Sequence, residues 1–117
     1  MKFVMLIYQG TTPLPGSEAW KTLSEKEQKQ IYVDYQGLNK TAGVTPGLPL
    51  GLPSAARTVQ VRDGEPQVRN GTYLAEGAGG YLVFEADNVN AAVALAARIP
   101  AARLGGAVEV RPAEQYW

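Results

Sequence analysis

The chain has 117 residues, with eleven basic residues balanced by eleven acidic ones and neither cysteine nor histidine. That length suits one domain with a modest core, and the balanced charge excludes the basic footprint of a nucleic-acid or anionic-membrane binder. The missing residue types remove disulfides, thiolate and serine-histidine catalysis, histidine-held haem and ordinary zinc centres; a metal would need carboxylates alone, and no cofactor is expected.

Residues 2–8, KFVMLIY, are continuously apolar after Lys2. Phe3, Met5 and Ile7 fall on one side and Val4, Leu6 and Tyr8 on the other, the pattern of a central strand covered on both faces. The run is too short for a signal-peptide core or a membrane span, so a cytoplasmic location without membrane contact is expected. QGTTPLPGS follows as turn chemistry, and residues 18–22 suggest a short helical turn around Trp20. Ser24 and Glu27 then form a capping-box signature. Ile31, Tyr35, Leu38 and Ala42 make one apolar stripe, Gly43 suits the terminus, and the spacing predicts a helix over 24–42.

With proline or glycine at every second or third position, residues 45–54 read as a rigid extended loop. ARTVQVRDGEPQV reads as a hairpin turning at Asp63-Gly64, with Pro66 marking an edge arm. YLVFEA at 81–86 is a second strand with apolar residues of both parities. Asn88 caps a helix whose inward stripe is Val89, Ala92, Val93, Ala96 and Ile99, ended by Pro100. Residues 106–112 form the last strand, with Val108 and Val110 on one face and Glu109 and Arg111 on the other.

The order strand, helix, hairpin, strand, helix, strand predicts an α+β fold of the ferredoxin-like kind, an antiparallel sheet with two helices on one face, formed by a single domain over 1–117. Two helices cover only one side of such a sheet, yet the strands at 3–8 and 81–86 are apolar on both. A second copy packed sheet to sheet is the economical cover, so a homodimer is expected. Trp20 and Trp117 are candidates to fold terminal segments onto that partner.

GGYLVFEADNVNAAVALAARIPAARLGGAVEVRP, residues 79–112, resembles the C-terminal half of the YCII-related, DGPF-domain family: a glycine pair, an aromatic, an acidic cap, an alanine-rich helix, a proline stop and a VEVRP strand. MKFVMLIY and RTVQVRDG are similar to its opening strand and hairpin. The resemblance implies a dimeric α+β barrel. Where the family writes Asp-Gly-Pro-Phe-Ala-Glu, this chain has Asn70, Gly71, Thr72, Tyr73, Leu74, Ala75 and Glu76. Only Gly71, Ala75 and Glu76 match, so the motif is degenerate. Some relatives are similar to small lyases and isomerases that pair a histidine with an aspartate; without histidine that mechanism does not transfer.

Asn70-Gly71 reads first as a turn, and Gly77, Gly79 and Gly80 lack the spacing and following helix of a phosphate loop. Glu76 lies between Tyr73 and Tyr81 in sequence, and aromatic walls can desolvate a carboxylate for proton transfer. Two functions follow. The first is a small dimeric binding or accessory module holding an apolar or weakly acidic small molecule, with Asn70, Tyr81 and Arg111 as candidate ligand contacts. The alternative is a cofactor-free isomerase or lyase, with Glu76 as base or acid and Tyr8 or Tyr73 as donor. The absence of histidine, the usual proton-transfer group near neutral pH, favours the binding module.

Overall fold

The computed structural model describes residues 1–116; Trp117 lies outside the described residues. The elements in chain order are β1 (Lys2–Tyr8), α1 (Glu18–Lys21), α2 (Glu25–Asn39), β2 (Val44–Pro46), β3 (Arg57–Arg62), β4 (Glu65–Asn70), β5 (Gly80–Glu85), α3 (Val89–Ala96) and β6 (Ala107–Pro112), with single 3-10 turns at Pro53–Ala55 and Pro100–Ala102. The main sheet is antiparallel with order β2-β5-β1-β6. Without β3 and β4 the connectivity is ferredoxin-like, β-α-β-β-α-β.

Three details differ from the sequence reading. The hairpin β3-β4 is a sheet of its own rather than part of the main one. The strand that completes the main sheet is instead Val44–Pro46, the start of the proline- and glycine-rich stretch that read as loop. Three residues pair with β5 and then stop, because Pro46 has no amide hydrogen and is tolerated only at an edge. Helix α2 also ends at Asn39 rather than residue 42. Gly43 just beyond takes φ +87°, and a Cβ there would stand 2.9 Å from the Glu85 carbonyl oxygen, so only glycine lets the chain come this close to β5.

The caps act as their residue types demand. The Glu27 amide donates to Ser24 Oγ at 3.1 Å, and Ser24 Oγ in turn donates to the Glu27 carboxylate. The Ala91 amide donates to Asn88 Oδ1 at 2.9 Å, each cap satisfying an otherwise orphaned helix donor. At the hairpin tip Asp63 (φ 52°) and Gly64 (φ 78°) are both left-handed, the requirement of the turn that matches strand twist.

The core lies between the sheet and the helices. Phe3, Met5, Ile7 and Leu82 on the sheet meet Leu38 of α2 and Ala92, Leu95, Ala96 and Ile99 in and just after α3. The register places Gly80 and Phe84 on this same face of β5, opposite Ile7 and Phe3. The other face carries Val4, Leu6, Tyr8, Tyr81 and Val83 with Glu109 and Arg111. No helix lies over it, and Val4, Leu6 and Val83 remain partly exposed.

Met5, wholly buried at the centre of β1, should therefore be the expensive position. Met5→Ala is expected to cost about 2–5 kcal/mol in urea denaturation. Val59→Ala, on the solvent-exposed hairpin, should fall within about 0.5 kcal/mol of the parent.

Candidate functional site

The most enclosed break in packing is a cleft of about 340 Å³ on the helix side of the sheet. Its floor is Ile7, Gly80 and Leu82. One wall is the face of α2 bearing Ile31, Tyr32, Tyr35 and Asn39; a second is Thr12–Pro15 with Trp20; the third is Gly47–Pro49 with Tyr81. The volume lies within the roughly 300–1,000 Å³ typical of small-ligand pockets.

Local chemistry holds these walls in place. The Trp20 amide donates to Ser17 Oγ at 3.2 Å, and Ser17 Oγ donates to the Leu14 carbonyl at 2.6 Å, which fixes α1 against the proline loop. Gln28 Nε2 reaches back from α2 to the carbonyls of Trp20 and Leu23. The Trp20 and Tyr32 rings meet edge to face with centroids 5.6 Å apart, a favoured aromatic geometry. On the far side the Leu50 amide bonds the Gly79 carbonyl, and the Gly79 amide bonds the Ile7 carbonyl. The Tyr81 ring packs so closely on Gly47 that a Cβ there would stand 2.7 Å from it. Tyr81, which belongs by register to the open face of β5, also borders this cleft.

Polar groups in the cleft are few and uncharged. Thr12 Oγ1 is buried and has no hydrogen-bond partner, an unusual state for a buried hydroxyl. Burial of Tyr35 raises its hydroxyl above the ordinary 10.0; the charge of Arg103 and a hydrogen bond with Gln9 pull the other way but do not cancel it. The phenol is therefore neutral and able to donate throughout the physiological range. Beside it, burial alone would raise Asp34, but hydrogen bonds from Gln30 and Arg103, with the charges of Arg103 and Arg98, hold it below its ordinary value. The Arg103-Asp34 ion pair joins α2 to the turn that follows Pro100.

The residues singled out from sequence are divided among several places. Tyr8, Tyr73 and Glu76 line one open depression beside the loop at Leu50–Thr58. Tyr8 and Glu76 also border a second, with Glu109. Glu76 is exposed. Tyr73 is exposed too, with the Arg69 guanidinium 5.8 Å from its ring centre and donating to its carbonyl. Arg111 lies four residues along β6 from the partner of Tyr8, roughly 13 Å away at strand spacing. Asn70 ends β4 opposite Arg57, at the hairpin base. Of the candidate proton-transfer and ligand-contact residues, only Tyr81 borders the main cleft. Gln9, Thr12, Tyr35 and Asn39 are the polar residues of that cleft that motif reasoning passes over.

The YCII-related domain family matches residues 1–115. The chain belongs to the YCII-related family. Among curated proteins no sequence matches it significantly, so the family supplies the fold and the cleft must supply the chemistry. The YCII-related architecture accounts for β1, α2, β2, β5, α3 and β6. Among the described residues of this YCII-related chain, no three acidic side chains gather where they would hold a metal ion, and no helix is long and apolar enough to cross a membrane.

Tyr35 gives a pH signature. Because its folded value is raised, its contribution to stability is complete below pH 10.0 and is lost as pH climbs through the raised value. Denaturation at neutral and strongly alkaline pH should show a smaller alkaline loss for Tyr35→Phe than for the parent.

Proposed function

We propose that this YCII-related chain is a homodimeric small-molecule-binding module whose ligand sits between α2 and the sheet. The observation that carries the reading is the coincidence, in one cleft, of a largely apolar lining and a buried threonine hydroxyl left without a partner. Leaving a hydroxyl buried and unbonded costs about 1–3 kcal/mol, a penalty that a ligand atom bonded to Thr12 relieves.

The dimer reading is supported by the uncovered apolar centre formed by Val4, Leu6 and Val83 on the other sheet face. A second copy supplies the same surface under a two-fold axis and so covers both at once. Binding and dimerisation then use opposite faces of one sheet.

Isomerase or lyase chemistry at Glu76, with Tyr8 or Tyr73 as proton donor, is the second reading, and it draws on their shared depression. Glu76 makes no hydrogen bond or ion pair among the described residues and faces solvent, so it lacks the orienting partner expected of an acid-base pair.

A thermal-shift screen of small apolar compounds tests the binding reading. Compounds that stabilise the parent should lose their effect on Ile31→Lys, which puts a charge in the cleft wall, and keep it on Glu76→Gln. Stabilisation lost on Glu76→Gln and kept on Ile31→Lys would move the site to the depression beside Tyr8.

A further inference from the structure

The composition of the cleft narrows its ligand beyond size. Among the described residues its lining carries no lysine, arginine, aspartate or glutamate. The cation whose field reaches Tyr35, Arg103, already bonds the Asp34 carboxylate. A charged ligand group would thus leave water with no countercharge waiting, and burial of an uncompensated charge is far more costly than burial of a neutral polar group.

What the cleft does offer is ring surface and a short row of neutral hydrogen-bonding groups. Trp20 and Tyr32 already meet edge to face, and Tyr81 borders the opposite wall; such walls favour a flat ring over a flexible chain. Thr12 Oγ1 can donate or accept, whereas protonated Tyr35 can donate. The floor has a gap at Gly80. That residue is buried at an ordinary strand conformation, and a Cβ placed on it would meet nothing closer than Ile7 Cδ1 at 3.9 Å. The fold has room for a side chain at position 80, and its absence adds to the open space of the cleft.

Resting on the binding reading above, we infer that the cleft selects a neutral aromatic molecule bearing a hydroxyl or carbonyl group, with the ring between Trp20 and Tyr81 and its oxygen at Thr12 and Tyr35. Gly80 is the specificity-determining position, because any larger residue there fills the ring's space.

Calorimetric titration at pH 7 with 2-naphthol and with 2-naphthoate separates the alternatives, since the two share a ring system and differ in charge. The inference expects 2-naphthol to bind at least about 10-fold more tightly. Thr12→Val should weaken 2-naphthol by about 2–10-fold, the loss of one hydrogen bond. Gly80→Val should abolish its binding while far-UV circular dichroism and the thermal midpoint show the fold retained. Equal binding of both probes, or tighter binding of the anion, overturns the neutral class yet leaves a ligand site in the cleft. Binding of 2-naphthol unchanged in a folded Gly80→Val variant overturns the placement in the cleft itself. If Gly80→Val fails to fold, Leu14→Arg on the half-buried proline loop gives the same two readouts.

Discussion

A sheet whose two central strands carry apolar side chains on both faces needs cover twice, and the helices of this chain lie over one side. β1 and β5 are those strands, and every further feature follows from how the two coverings are met. On the helix side, Phe3, Met5 and Leu82 are sealed by α3 and by the C-terminal end of α2. On the other side, Val4, Leu6 and Val83 are left partly exposed. Contiguous apolar surface of this kind on a small protein usually marks an interface.

Cover on the helix side is uneven, and side-chain size explains the unevenness. Helix α3 presents Ala92 and Ala96, small enough for close approach, and both are buried. Helix α2 presents Ile31 and Tyr35 at the corresponding depth, and of its fifteen residues only Leu38 is fully buried. Helix separation is set by the side chains at the contact, so a helix resting on a ring stands further off than one resting on methyl groups. The cleft opens along the face of α2 that runs from Ile31 to Asn39, where the floor also lacks a side chain at Gly80. An open space thus arises from bulky residues on one layer facing glycine on the other, while the sealed end keeps the protomer folded.

Much of this was readable from sequence because it depends on local periodicity. Ser24, Asn88, Asp63-Gly64 and Pro100 each write their structure in the residues around them, and the two-faced apolar pattern of β1 and β5 exposed the problem of the missing cover. Val44–Pro46 was hidden because three residues show no period and proline argues against a strand; only the pairing with β5 makes it one. The hairpin was legible as a hairpin, but whether it joins the main sheet depends on long-range pairing that alternation does not encode. The cleft was less legible still. Glu76 and Tyr73 drew attention as neighbours in a glycine-rich stretch, whereas Thr12, Tyr35 and Gly80 lie far apart in the chain and become neighbours only through the sheet register and the standing-off of α2. A stripe of Ile31, Tyr35 and Leu38 predicts an inward face without saying that two of the three rest on open space.

The most direct test is of the claim that the exposed sheet face is completed by an identical copy. Sedimentation equilibrium of the parent chain and of Leu6→Asp, over low to high micromolar concentration, measures it. The account predicts a parent species of twice the 12.5 kDa chain mass, and a folded Leu6→Asp that sediments as single chains. A parent that remains at 12.5 kDa across the whole range would contradict it.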